Sequence, residues 1–260
     1  MIVLKKLKVS HDSPINYYSD WTTSGLINEL IGKEVSIKWS GRYVCQSCLK
    51  TPNKLFGEGL CYSCFKSSPM AAPCILHPEK CRAHLGEGRD IEWEIKHHLQ
   101  PHLVYLAVSD VVKVGVTKHS QVPIRWIDQG AIKAIKLAET SNRYEAGCIE
   151  VALKETYTDK TNWRKMVKNE VDPSIDLIEE KWCLHEDLPF DMQDFFSDDD
   201  TVYEFNYPVE KYPEKIIYTS LDKQNEIKGT LRGIKGQYLL FDNGMVFNVR
   251  RHTGYEVIIT

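Results

Sequence analysis

The stretch Val104–Ala131, VYLAVSDVVKVGVTKHSQVPIRWIDQGA, decides how the middle of the chain folds. Two β-branched runs, Val104–Val108 and Val111–Val116, flank the pair Ser109-Asp110, and a helical stretch from about Pro123 to Gln129 follows. Short β-branched runs bounded by turn formers are strands, and so short a gap joins them as an antiparallel hairpin. A strand over Ile132–Ala138, a helix over Arg143–Glu155 and a further helix after Asp159 complete a compact unit, residues 101–172, in the order β-β-α-β-α-α. One residue resists this pattern: Lys113 interrupts the second apolar run two residues before Gly115.

On the N-terminal side, residues 45–100 lack periodicity and are rich in Cys, His, Pro and Gly, so they bury little apolar surface and need another source of stability. Residues 1–44 form an N-terminal β element, in which Val35, Ile37 and Trp39 alternate with polar positions as a half-buried strand requires. On the C-terminal side, residues 173–201 read as an acidic linker, whose aromatics Trp182, Phe190, Phe195 and Phe196 are expected to dock it onto the body. Residues 202–260 read as a small antiparallel β domain, completed by the N-terminal strands, with Asn243-Gly244 at a hairpin turn. The expected fold class is α+β.

Composition narrows the function. The chain has 260 residues, is 42% hydrophobic and 27% charged, and carries a formal net charge of -3. Between 173 and 204 eleven acids face one lysine, a net of -10, so the remainder carries +7. A mildly basic body of this kind attracts a polyanion without the strong basicity of a DNA packager. The opening MIVLKKLKVSHDSP turns polar within five residues, so neither a secretory signal nor a membrane span is expected, and the expected location is the cytoplasm.

Six of the eight cysteines lie in one window. CQSCLKTPNKLFGEGLCYSC contains C-x2-C twice, twelve residues apart, which presents Cys45, Cys48, Cys61 and Cys64 to one ion as two knuckles. Four thiolates fill a tetrahedral shell, so the expected ion is structural Zn2+ with no open position for chemistry. The next stretch, CILHPEKCRAH, offers Cys74, His77, Cys81 and His84 to a second metal. Its spacing matches no common ribbon, and histidines also serve as plain surface or core residues. His97 and His98 follow, while Cys148 and Cys183 stand alone as small buried hydrophobes.

Tyr105 in the first strand, VKVG (Val112–Gly115) in the second, Arg125 in the next helix and a glutamate in a later one together resemble the GIY-YIG endonuclease superfamily. Gly115 falls at the final glycine of that motif and Lys113 takes the place of its second tyrosine, as in some branches. Gln129 stands where many active members have histidine. Over most of its length the chain also resembles an uncharacterised bacterial family, through the blocks RWIDQGA, AGCIE, DKTNWR and GIKGQYL.

The glutamate follows from two arguments. Asn142 and Glu145 are spaced as a capping box, which accounts for Glu145. Glu150 lies at the edge of the apolar stripe, where an unpaired carboxylate is costly, and the superfamily's glutamate likewise follows an alanine four residues earlier. The resemblance therefore implies phosphodiester hydrolysis with Mg2+ or Mn2+ at Glu150, Arg125 neutralising the phosphoryl group, Tyr105 orienting or deprotonating water, and Lys113 as helper or fixed cation. It implies a nucleic-acid partner, DNA ahead of RNA, and a shallow concavity onto which Tyr105, Arg125 and Glu150 all open. The alternative is a non-catalytic zinc-containing adaptor that binds nucleic acid or protein with the same fold. Read singly, each residue has a plainer role: Arg125 pairing along its helix, Tyr105 as a strand aromatic, Lys113 snorkelling from an edge. Lys228, Arg232, Lys235, Arg250 and Arg251, near Tyr238, Phe247 and Tyr255, are either a stacking surface for nucleic acid or a solvated β face over an ordinary core.

Overall fold

The computed structural model describes residues 1–154 and 162–260. The expected helix end at Glu155 and the start of the helix after Asp159 lie outside them. The fold is mixed α and β with several sheets. Among the described residues no helix is long and apolar enough to cross a membrane.

The decisive stretch forms the expected hairpin. Strands His102–Val108 and Val112–Lys118 pair antiparallel, with Tyr105 opposite Gly115 and Ala107 opposite Lys113. Lys133–Thr140 pairs with the other edge of His102–Val108, and the short Tyr203–Glu204 closes a four-stranded sheet. His102–Val108 is thus central, and its alternate residues point to two cores. Tyr105 and Ala107 join one core with Trp126, while Val104, Leu106 and Val108 join the other with Ile149 and Leu153. A strand buried on both faces has no polar alternation, which is why VYLAV is apolar throughout.

Helix Ile124–Asp128 lies on the Tyr105 side and helix Arg143–Leu153 on the opposite side. Asn142 caps the latter by accepting the Glu145 amide at 3.1 Å. The Glu145 carboxylate reaches back to the amide of Ser141 at 3.0 Å, one residue before the cap itself. Helix Trp163–Lys168 follows and buries Met166 and Val167.

Residues 173–201, read from composition as an acidic linker, are built into this unit as helix Leu177–Asp187 and a 3-10 turn, Phe190–Phe195. Leu177, Leu184 and Leu188 recur at helical spacing and enter the second core, with Phe195 and Phe196 packed on it. Trp182 and Phe190 remain exposed. Ser197 donates its amide to Leu137 at 2.9 Å, Asp199 pairs with Lys136 at 2.9 Å and Asp200 with the buried Lys181 at 2.8 Å. Net charge along the sequence concealed the leucine face.

Both ends of the chain share a seven-stranded sheet in the order Ile2–Val3, Tyr255–Ile259, Glu34–Tyr43, Glu226–Lys235, Tyr238–Phe241, Met245–Asn248, Ile217–Thr219. The turn Asn243-Gly244 closes its hairpin with Gly244 at φ +79. Of the C-terminal cations, Lys228 pairs with Glu34 at 3.0 Å and Arg232 with Glu210 at 3.1 Å, Lys235 is fully buried, and the exposed Arg251 lies over the Tyr218 ring at 5.5 Å. Phe247 and Tyr255 belong to the core rather than to a stacking face.

The cysteine-rich residues 45–98 sit between these two parts. They contain helix Tyr62–Ser67, a series of 3-10 turns and helix Ile91–His98. Their own buried apolar cluster is only Ala72, Cys74, Cys81 and Ala83. Gly147 fixes their seat on helix Arg143–Leu153, since a Cβ there would overlap the backbone of Pro78 and Glu79.

Candidate functional site

Strand Glu34–Tyr43 delivers the chain to Cys45, where the first knuckle turns with Leu49 at φ +60; the second knuckle runs into helix Tyr62–Ser67. The sulfurs of Cys45, Cys48, Cys61 and Cys64 lie within 4.8 Å of one another, and all four thiols are free. Burial pushes the Cys45 thiol up, but the amides of Cys48, Cys61 and Ser47 outweigh it and hold it down to about 6. A thiolate so solvated by amides, facing three more sulfurs, fits a tetrahedral metal site of the zinc type. The spacing in the sequence had placed these four residues together.

The next four candidates divide. Cys74 and Cys81 come together with His98, their ligand atoms within 4.8 Å of one another. His77 lies outside this group: it precedes the 3-10 turn Pro78–Lys80 and faces Glu79 at 3.4 Å, exposed. His84 is also outside, its ring stacked on Tyr144 at 4.5 Å. The proline-led turn at Pro78 holds His77 outward, His84 is taken up by its stack on Tyr144, and the third donor of the group comes from the end of a helix fourteen residues beyond His84.

The four residues singled out by the GIY-YIG resemblance fall as follows. Tyr105 is 2% exposed and donates to Gln129 Oε1 at 2.8 Å. Its ring passes over Gly115, where a Cβ would stand 2.7 Å from the phenol oxygen, so that glycine is what admits the tyrosine. Burial raises the Tyr105 pKa, opposed by the Arg125 guanidinium beside it and reinforced by Glu150. Glu150 is itself buried, with the Lys154 ammonium 3.6 Å away. Lys113 is buried too, which lowers its pKa to about 8 against the pull of Asp110. These groups share one electrostatic neighbourhood, and Arg125 lines an open cavity. Trp126 and Gln129 close over Tyr105, so among the described residues Tyr105 does not open onto the shared concavity expected for it with Arg125 and Glu150.

The cavity that Arg125 lines, of about 300 Å3, lies between the cysteine-rich segment and the hairpin edge strand. Two of its cations are neutralised: Lys6 pairs with Asp128 and Arg250 with Glu58. Three others, Lys118, Arg125 and Arg143, have no carboxylate partner among the described residues. Arg143 instead donates to the carbonyls of Cys74 and Ile75, both at 2.9 Å. Burial lowers the pKa of Arg143 and of Lys118, and the charge of Arg143 lowers Lys118 further, as crowded cations require. The opposite wall carries Trp93 and His97, stacked at 4.0 Å and 15°. Sequence reasoning missed Lys118, Arg143 and this aromatic pair because the wall is assembled from separate stretches. Only the Trp93 and His97 spacing, four residues apart on a helix, was readable as a shared face.

A family model described as "Protein of unknown function (DUF2797)" matches residues 32–257, so the chain belongs to that family. No curated protein and no solved structure matches it.

Proposed function

We propose that the protein binds nucleic acid, DNA first, in the cleft that Arg125 lines, with a GIY-YIG-like unit as the platform and a zinc-held cysteine module as the facing wall. The observation that carries this reading is the convergence of Lys118, Arg125 and Arg143, without a carboxylate partner among the described residues, opposite the stacked Trp93 and His97. Cations that follow a phosphate backbone beside an aromatic on which a base can stack are the usual parts of such an interface. The GIY-YIG likeness is supported by the order strand, strand, helix, strand, helix, helix over residues 102–168 and by the packing of Tyr105 on Gly115. The eight free cysteines suit a reducing, cytoplasmic setting.

Hydrolysis would require Mg2+ or Mn2+ at Glu150. Among the described residues Glu150 belongs to no cluster of three ligand side chains, and an ammonium stands 3.6 Å from its carboxylate. Tyr105, 2% exposed, offers no open face to a water. This arrangement does not fit a standing divalent-ion site, so the reading adopted is the binding one, and hydrolysis is left to the experiment.

The experiment is fluorescence anisotropy of labelled duplex, single-stranded and branched DNA and of RNA with the full chain at low salt, followed by incubation with Mg2+ or Mn2+. The expected result is duplex binding weakened about tenfold or more by Arg125→Glu, with no metal-dependent nicking. Absence of binding to every probe at low salt would overturn the proposal. Nicking that Glu150→Ala abolishes would replace it with the hydrolytic reading.

A further inference from the structure

We propose that Cys74, Cys81 and His98 hold a second structural zinc ion, with the Glu94 carboxylate, outside that close group but 3.9 Å from the His98 ring, turning in as the fourth ligand, and that this ion fixes the aromatic wall of the cleft. Cys81 Sγ lies 3.5 Å from His98 Nδ1, and the same ring nitrogen faces Glu94 Oε2 at 3.9 Å. Cys74, Cys81, His98 and Glu94 are each 5% exposed or less. Two thiols, an imidazole and a carboxylate gathered out of water form a donor set with no apolar purpose. Burying a carboxylate is costly unless it meets a cation. Glu94 Oε1 accepts the Arg89 amide at 2.8 Å, which satisfies one oxygen; the other is directed at the imidazole. A dication between these groups supplies the charge that the site lacks, and two thiolates, a histidine and a carboxylate are donors that zinc accepts in tetrahedral geometry.

The surroundings need such an ion. Residues 69–85 are a chain of 3-10 turns whose buried apolar cluster is Ala72, Cys74, Cys81 and Ala83, with Pro78 buried separately against helix Arg143–Leu153. That cluster is too small to order the segment by burial. Arg143 ties the carbonyls of Cys74 and Ile75 to helix Arg143–Leu153, and Gly147 lets the turn at Pro78 sit against that helix. His98 ends helix Ile91–His98, which carries Trp93 and His97, so an ion there joins the turns to the helix that walls the cleft.

Zinc counting on the purified full chain tests the site. Two zinc ions per chain are expected, falling to one in His98→Ala and in Cys81→Ala and staying at two in His77→Ala, His84→Ala and His98→Cys, the last because it replaces one ligand by another. Zinc X-ray absorption of the wild-type chain should show sulfur donors exceeding nitrogen and oxygen donors about three to one, and Glu94→Gln should release one zinc faster to a chelator. One zinc per folded wild-type chain, with an all-sulfur shell, would overturn the proposal. So would two zincs retained in His98→Ala, or a Cys74-Cys81 disulfide found by mass spectrometry of the native chain. If Cys81→Ala does not fold, the wild-type count and the donor ratio still decide.

Discussion

Residues 45–98 and the four-stranded sheet that begins at His102 are neighbours in the chain and opposites in how they hold together. The sheet places seven consecutive buried residues in its central strand and shares five of them, Val104 to Val108, between two cores. The cysteine segment buries a handful of small side chains and gathers two groups of side chains that could hold a metal, only one of them fully buried. Burial at about 25 cal/mol per Å2 stabilises the first, whereas the second depends on coordinate bonds that exist only when the ligands are deprotonated and an ion is present. The cleft lies where they meet, so on the proposed reading one of its walls is held by packing and the other by metal.

The largest expected effect separates the two. Removing zinc with a strong chelator should expose the amides of residues 45–98 to hydrogen exchange, while His102–Val108 and Lys133–Thr140 stay protected. Structural zinc in small finger domains is worth roughly 10–16 kcal/mol of folding free energy at neutral pH, far more than the small cluster around Ala72 supplies. Unchanged protection of residues 45–98 after zinc loss, confirmed by metal analysis, would erase the distinction.

The two regions also differed in how far the sequence disclosed them. The hairpin, the capping at Asn142 and the doubled C-x2-C were legible because each is set by neighbours along the chain: alternation, a cap three residues before its partner, a fixed knuckle spacing. Lys118, Arg143, Trp93 and His98 were not, because their roles depend on contacts across the fold. The helix Leu177–Asp187 was hidden for another reason: its two leucines, Leu177 and Leu184, are outnumbered by acids. Tyr105 and Glu150 are both buried, and no pattern in one sequence told that they would be.

A smaller effect sharpens the account of the burial-held part. Lys235 is fully buried, hydrogen-bonded to Asn169 Oδ1 at 2.6 Å, and desolvation lowers its pKa to about 7. In the unfolded chain a lysine titrates near 10.4. Between about pH 7 and that value the unfolded state binds the proton and the native state does not, so stability should rise with pH across this window. Below about pH 7 both states are charged and the gain is absent. Comparing denaturant melts of the wild type and Lys235→Met over this range isolates the group, with an expected difference on the order of a few kcal/mol between its ends. Parallel pH profiles for the two proteins would show that Lys235 does not titrate in the native state as its burial demands.

The central claim is that unpaired cations in the cleft contact phosphates, and the salt dependence of duplex binding tests it most directly. Each phosphate contact contributes a slope of about -0.9 to the logarithm of affinity against the logarithm of salt. Measured over a salt series, Arg125→Ala should bind more weakly than the wild type with a slope shallower by about one, and adding Lys118→Ala should flatten it further. Binding that keeps both its strength and its slope in the double variant would place the nucleic acid elsewhere on the molecule and contradict the account.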